Sequence, residues 1–195
     1  MRRSTVVMTA ALVLMALVTV LSVLRSYSFV REQRRQIYVI DKGQSILALQ
    51  SDGSATRDLE AMDHVTRFHE LFFNMAPNAA TIQQNVDRAL NLSDRSVYDY
   101  WSDLSEQGFY QRLVSANISQ QFALDSVKVD MKTYPYGATT YGKLYLIRES
   151  NITAYDMVTS CRLVDVGRSK DNPHGLMIER FTVVRNESLG TRKRN

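Results

Sequence analysis

The sequence predicts an α+β domain carried on an N-terminal transmembrane helix, and three observations predict this class. The chain opens on a charge-free apolar run of twenty residues. From residue 57 apolar residues recur with the period of a helix, and beyond residue 117 they alternate with the period of a strand. Because helices precede strands instead of alternating with them, we expect a curved antiparallel sheet with the helices packed on one face.

The apolar run at 5–24 has the length of a membrane span. It carries no charged residue, proline or glycine, and a helix of this length covers roughly 30 Å, the thickness of the hydrocarbon core. The alternative is a cleaved signal peptide behind Arg2 and Arg3. That alternative is disfavoured because the run is longer than a signal-peptide core and ends directly at Arg25. We therefore predict a short cytoplasmic tail at 1–4 and a transmembrane helix at 5–24.

The charges that flank the span leave its orientation open. The α-amino group, Arg2 and Arg3 precede it, and four arginines follow it: Arg25, Arg31, Arg34 and Arg35. Counted alone, these charges slightly favour a cytoplasmic C-terminal domain. The rule is weak here, since both flanks are basic and large domains translocate largely regardless of charge.

Charge and cysteine content exclude two classes of protein. The chain has a net charge of +4, but Arg2, Arg3 and Arg25 flank the span, which leaves 21 basic against 20 acidic residues elsewhere. A domain with a net charge of +1 has no field that would gather nucleic acid, so we expect no direct nucleic acid binding. The one cysteine, Cys161, excludes an intramolecular disulfide and is typical of a small buried apolar residue.

A juxtamembrane linker with a short hairpin is predicted at 25–56. Two segments rich in strand-forming residues, 36–41 and 44–50, flank Lys42 and Gly43. A glycine-containing pair between two such segments is typical of a hairpin turn.

Three helical regions are predicted next. The first, at 57–76, repeats apolar residues every three or four positions, and these form its expected core face: Leu59, Met62, Val65, Phe68, Phe72 and Met75. Pro77 ends this helix. The second helix is predicted at 78–92, and the third region, at 94–115, is broken in two by Gly108.

The rest of the chain predicts a meander of strands. Strand signals lie at 127–131, 139–148, 153–166 and 176–184, separated by turn-forming residues. With the helices, these strands define one domain at 57–185. The basic end at 186–195 is predicted to be a disordered tail.

The sequence offers no catalytic, metal or cofactor site. It contains no phosphate-binding glycine loop and no established nucleophile or zinc motif. His64 and His69 are five residues apart, so on a helix they point away from each other and do not share a metal. The spacing of Glu60 and His64 is typical of a surface contact one turn apart.

The most distinctive local segment is 169–175, between the last two predicted strands. Asn172 is extended because it precedes a proline, Pro173 fixes its own φ, and Gly175 has the freedom to adopt a positive φ. His174 is expected at the exposed outer position. From chemistry alone, a rigid β-turn with no other task and a functional turn are equally good interpretations.

With this segment, the sequence resembles the TraK proteins of conjugative transposons. The matching residues are spread over nearly the whole chain: Gln36-Ile37-Tyr38-Val39, His64-Val65, Phe68-His69, Leu71-Phe72-Phe73, Ala76-Pro77, Gly108-Phe109-Tyr110, Asp125-Ser126 and Asp171-Asn172-Pro173-His174-Gly175-Leu176. The segment at 172–175 also fits the Asn-Pro-x-Gly turn of a broader family to which TraK is similar, the eighth component of VirB-type secretion systems.

The resemblance implies an assembly subunit of a type IV secretion system for conjugation. It implies a single-pass protein of the bacterial inner membrane with a cytoplasmic N-terminus and a periplasmic domain of nuclear-transport-factor-2-like fold. It further implies a homo-oligomeric scaffold that contacts other channel subunits, without cofactor or enzymatic activity. The resemblance also implies that Asn172, Pro173 and Gly175, which match the family's Asn-Pro-x-Gly turn, are protein-interaction residues.

The alternative function is a membrane-tethered domain of the same fold that binds a small molecule or acts as an enzyme on the concave side of the sheet. Catalysis there would need a buried carboxylate facing a hydrogen-bond donor. Most acidic residues fall on the polar faces of the predicted helices or alternate outward on the strands, so the scaffold function is favoured.

Overall fold

The computed structural model describes residues 15, 17–20, 36–41, 44–49 and 53–194. The chain divides into two compact units, one ending at Ser54 and the other beginning at Ala55. The tail predicted at 1–4, most of the helix predicted at 5–24 and much of the linker lie outside the described residues. Within the part that is described, no helix combines the length and apolar character that crossing a bilayer requires.

The predicted hairpin in the first unit is confirmed. Strand β1 (Gln36–Asp41) pairs antiparallel with β2 (Gln44–Leu49). The pairing runs from Gln36 with Leu49 to Asp41 with Gln44.

Four helices lie between residues 53 and 115, and from Ala55 onward they form the helical half of the second unit. Its helices are α1 (Gly53–Phe73), α2 (Ala79–Leu90), α3 (Arg95–Glu106) and α4 (Phe109–Ser115). The side chain of Asn78 caps α2 by accepting from the Thr81 amide at 3.0 Å, and Asp94 caps α3 by accepting from the Ser96 amide at 2.8 Å. Gly108 separates α3 from α4 at a φ of +69°, so the predicted break at this residue is confirmed.

Residues 119–193 form a four-stranded antiparallel meander. Its strands are β3 (Ser119–Asp130), β4 (Tyr136–Ile147), β5 (Asn151–Asp165) and β6 (Leu176–Lys193), in spatial order β3-β4-β5-β6. The register shifts once between β3 and β4, and at three places between β5 and β6. A bulge at such a shift bends its strand and increases the local twist.

The main core lies between α1 and the sheet. Phe68 and Phe72 of α1 belong to one buried cluster with Leu163 of β5 and Ile178 of β6, and each is at most 1% exposed. A smaller cluster joins α2 to α4. The expected α+β architecture, with helices packed against an antiparallel sheet, is therefore confirmed.

The predicted core face of α1 is partly wrong. Leu59 and Met62 are exposed, whereas Ala61, His64 and His69 are buried. The buried stripe is rotated by about one residue relative to the apolar pattern in the first turns of the helix. The two histidines occupy core positions that an apolar pattern does not identify.

The prediction of a disordered tail at 186–195 is wrong for residues 186–193, which continue β6. Asn186 pairs with Met157 of β5, and Thr191 pairs with Thr153. From Val184 to Arg194 the residues are exposed, so this half of the strand is ordered by backbone pairing to β5. Its polar sequence lacks the apolar alternation that identifies a half-buried strand.

Candidate functional site

The connection between β5 and β6 is a compact turn that its own backbone closes. The Val166 amide donates to the Gly175 carbonyl at 3.0 Å, the Ser169 amide to the Asn172 carbonyl at 3.0 Å, and the Gly175 amide to the same Asn172 carbonyl at 3.2 Å. These bonds hold the segment 169–175, called here the anchored turn, in one conformation.

Asn172 fixes the anchored turn from inside. Its side chain is buried, and Nδ2 donates to the carbonyl of Leu176, the first residue of β6, at 2.7 Å. Its backbone amide donates to Ser169 Oγ at 3.1 Å. Predicted as an interaction residue, Asn172 lies beneath the surface of the turn and ties it to the sheet.

Position 175 requires glycine, because of both its backbone conformation and the atoms around it. Its φ of +59° lies in the left-handed region, which side chains with a Cβ rarely adopt. A Cβ at this position would lie 2.7 Å from Arg168 Cγ and 2.8 Å from the Val166 carbonyl oxygen. The predicted positive φ is confirmed, and any side chain here would displace the backbone.

Arg57, in the first turns of α1, holds the anchored turn against the helix. Its guanidinium donates to the His174 carbonyl at 2.6 Å and to the Gly175 carbonyl at 3.2 Å. It also pairs with Asp165 at the end of β5 and with Glu60 at 2.8 Å. One side chain thus joins α1, the end of β5 and the turn that leads into β6.

Glu60 lies between two arginines. Arg168 donates to both carboxylate oxygens, at 2.8 and 3.0 Å, and also to the Pro173 carbonyl at 3.3 Å. Burial alone would raise the pKa of the Glu60 carboxyl, but the hydrogen bonds from Arg57 and Arg168 outweigh this effect and lower it. Glu60 is therefore anionic at neutral pH, and the expected surface contact between Glu60 and His64 is replaced by these ion pairs.

His174 is less exposed than predicted, because it packs against α1. Its side chain is 18% exposed and Nε2 lies 3.2 Å from the Asp63 carboxylate. Its ring lies edge-on to that of His64, with centroids 5.9 Å apart. The prediction of an exposed His174 is therefore wrong, since α1 covers it.

The solvent-exposed residues of the anchored turn, and of the two positions before it, differ from those that hold it in place. Pro173 is exposed, as is the stretch from Gly167 to Asp171. Of the three residues predicted to mediate interaction, Pro173 presents its side chain to solvent, whereas Asn172 and Gly175 maintain the shape that presents it.

The two histidines of α1, His64 and His69, are buried core residues. His69 Nδ1 lies 2.7 Å from the Val65 carbonyl and Nε2 lies 2.7 Å from Thr159 Oγ1, so both nitrogens have partners. Burial lowers the pKa of His69 and of His64 to about 4, so both rings are neutral at pH 7. Among the described residues, no group of three or more His, Cys, Asp or Glu side chains is arranged to hold a metal.

Cys161 is a core residue, as its sequence context indicates. Its thiol is free and buried in the cluster between α1 and the sheet. Burial raises the pKa of this thiol to about 12, which suppresses the nucleophilic thiolate at neutral pH.

Sequence reasoning missed the charged residues that surround the turn. Arg57, Asp165 and Arg168 come from three segments, and Arg57 is separated from His174 by 117 positions. The sequence around each of these residues carries no distinctive motif, so only the tertiary fold shows that they are in contact.

Comparisons with known proteins extend the description of the fold. No protein-family model matches the sequence, and no curated protein matches it. Among solved structures, the VirB8 protein of Agrobacterium tumefaciens is similar with a TM-score of 0.54 and 13% identity, over 72% of this chain and 94% of that one. The soluble domain of TrwG, from the type IV secretion machinery of Bartonella grahamii, is similar with a TM-score of 0.52 and 17% identity, over 65% of this chain and 92% of that one. At these identities the likeness establishes a shared α+β fold.

Proposed function

We propose that this protein is a non-enzymatic assembly subunit of a type IV secretion apparatus that carries out conjugative transfer. The observation that supports this most is the fold shared with VirB8 and with the TrwG domain, over nearly the full length of both. The TraK resemblance of the sequence points to the same kind of apparatus.

The proposal places the protein in the bacterial inner membrane, with the helix at 5–24 as its single span. The N-terminus is then cytoplasmic and the α+β domain periplasmic. The apolar run supports a span, whereas the arginines after residue 24 slightly oppose this orientation. A reporter that is active only outside the cytoplasm, fused after Asn195, should be active, and an inactive but expressed fusion would overturn the orientation.

The anchored turn is proposed as a contact in self-association or with other channel subunits. Its rigidity supports this role, because a surface held in one conformation loses little entropy on binding. Pro173 would lie in the contact, while Asn172 and Gly175 would preserve its shape.

A non-enzymatic role is favoured over the enzymatic alternative. Acid–base catalysis on the concave side would need a buried carboxylate beside a donor. Among residues 56–194, no aspartate or glutamate side chain is buried. Of the acidic residues around the anchored turn, Glu60 is the least exposed, and it is paired with two arginines.

Deletion of the gene tests the proposed function directly. Conjugative transfer should be abolished while growth is unaffected, and expression of the wild-type chain in trans should restore transfer. Undiminished transfer in the deletion strain would contradict the proposal.

Site-specific cross-linking tests the role of the turn. The native Cys161 is buried, so the Pro173→Cys variant carries one accessible thiol, and Tyr98→Cys provides a matched exposed position on α3. In membranes of conjugating cells, the variant at 173 should form cross-linked species with a second copy or with other subunits, and the variant at 98 should not. Equal cross-linking, or none at 173, would remove the turn from the interface.

A further inference from the structure

A cavity of about 170 Å³ lies between the helices and the sheet. Its walls come from the end of α1, from α3 and α4, and from all four strands of the meander. Most of the lining is apolar, and none of the described residues that line the cavity is charged. The site is separate from the charged residues around the anchored turn.

Two residues that line the cavity carry buried polar atoms without partners in the described part of the chain. Within the described part of the chain, neither the Tyr110 hydroxyl nor Gln120 Oε1 has a hydrogen-bond partner. Both side chains line the cavity, and both residues are less than a tenth exposed. Because an unsatisfied buried polar group destabilises the fold, two such groups on residues around one cavity point to an occupant that hydrogen-bonds to them.

The chemistry of the two atoms is fixed by their surroundings. Gln120 Nε2 donates to the Phe73 carbonyl at 2.9 Å, so the other amide atom is the oxygen and only accepts. Burial raises the pKa of the Tyr110 hydroxyl, which therefore remains protonated and both donates and accepts. A hydroxyl group complements both, as a water molecule does, because it donates to one oxygen while it accepts from the other.

The size and lining of the cavity define the rest of the ligand. An engineered apolar cavity of about 150 Å³ binds benzene, so the volume here suits one six-membered ring. Phe72, Met75 and Met157 supply apolar contacts to such a body. Without a charged group in the lining, an ionic ligand would lose its hydration without compensation.

We propose that this cavity binds a small neutral molecule with one ring-sized apolar body and one hydroxyl group, which hydrogen-bonds to Gln120 Oε1 and the Tyr110 hydroxyl. This inference is independent of the secretion role, since it rests on the cavity alone. Phenol is the probe that matches this description, and benzene is the matched probe without the hydroxyl.

Methionine methyl groups report on binding in the full chain. Met75 and Met157 line the cavity, whereas Met131 and Met177 do not. With ¹³C-labelled methionine methyls and the detergent-solubilised protein, phenol should produce saturable shifts at the first pair and none at the second. Benzene should bind about ten- to a hundredfold more weakly, because it lacks both hydrogen bonds of the phenol hydroxyl.

Tyr110→Phe is the decisive variant. It removes only a hydroxyl without a described partner, so the fold should be retained, and phenol binding should weaken three- to tenfold while benzene binding is unchanged. Tyr98→Phe, on the exposed face of α3, is the control and should bind phenol as the wild type does. Because both variants are titrated under the same conditions, partition of phenol into detergent cancels in the comparison.

Three results would overturn the proposal. Non-saturable shifts, or equal shifts at Met131 and Met177, would show that phenol does not occupy the cavity. Equal affinity of Tyr110→Phe and wild type for phenol would show that the Tyr110 hydroxyl is not used. Benzene binding as tight as that of phenol would show that the cavity selects no hydroxyl and is filled by apolar contact alone.

Discussion

The two ends of α1 contact the rest of the domain in opposite ways. Near its start, Arg57 and Glu60 make ion pairs and hydrogen bonds with the anchored turn and its flanks. Near its end, Phe72 and Phe73 pack on the sheet and line the apolar cavity. The first end positions a surface element through directional polar contacts, and the second contributes buried aromatic side chains to the core.

The polar contacts at the start of α1 determine geometry, whereas the apolar contacts at its end determine stability. Partly exposed ion pairs contribute little net free energy, but they define which arrangement of charges is allowed. Burial of aromatic side chains stabilises the fold without directional preference. We therefore expect substitutions at the end of α1 to lower the free energy of unfolding strongly, and those at its start to act mainly on the conformation of the turn.

The largest effect is expected from Phe72→Ala. Phe72 is 1% exposed, and truncation of a buried phenylalanine costs about 3–5 kcal/mol through lost burial and the cavity left behind. Urea unfolding of the variant would measure this loss. Leu59→Ala is the control on the same helix, and because Leu59 is 66% exposed its effect should stay within about 0.5 kcal/mol. Similar effects at both positions would contradict the comparison.

The next largest effect is expected from Gly175→Ala in the anchored turn. The left-handed φ and the close Val166 carbonyl together should cost about 2–3 kcal/mol. Gly167→Ala is the matched control in the same connection, since a Cβ at Gly167 would meet nothing within 4 Å. A neutral Gly175→Ala would show that the turn adopts another conformation in solution.

A pH effect of about 2 kcal/mol is expected from His69, in the second half of α1. Its pKa is about 4 in the folded protein and about 6.5 when unfolded, so the unfolded state takes up its proton first as the pH falls. Stability should therefore fall by about 2 kcal/mol per such histidine between pH 7 and pH 5. In His69→Phe, the loss of unfolding free energy over this range should be smaller by that amount. An identical pH dependence would contradict burial of a neutral His69.

The smallest effect is expected from Glu60→Gln at the start of α1. Removal of the charge between Arg57 and Arg168 should cost about 1 kcal/mol at pH 7. Since the folded pKa of Glu60 is lowered, this contribution is present above the unfolded pKa and disappears as the pH falls through the folded pKa. Chemical unfolding at pH 7 and at pH 3 would show it, with Asp99→Asn, from the exposed pair with Arg95, as a control near zero.

The order of elements could be predicted from the sequence because it depends on local patterns. Helix period, the break at Gly108 and the proline after the first helix all act within a few residues. The C-terminal half of β6 could not be predicted, because its order comes from backbone pairing with β5 and its side chains remain in solvent. The polar composition of this segment, taken alone, predicts a disordered tail.

The site could be predicted only in part, for a related reason. The shape of the anchored turn follows from Pro173 and Gly175, whose backbone preferences are intrinsic. The burial of Asn172 follows from the closed turn, in which its side-chain amide donates to the Leu176 carbonyl, and the partial burial of His174 follows from its packing against α1. The cavity polar groups, Tyr110 and Gln120, look like ordinary helix and strand residues until the fold brings them together.

The contact between Arg57 and the turn also constrains the order of events during synthesis. The carbonyls that accept from Arg57 belong to His174 and Gly175, more than a hundred residues later in the chain. A nascent chain shorter than this has already made α1 but lacks those acceptors and the whole of β6. Long-range contacts of this kind form late and slow the folding of a domain. The start of α1 therefore acquires its final contacts only after residues 174 and 175 have been synthesised.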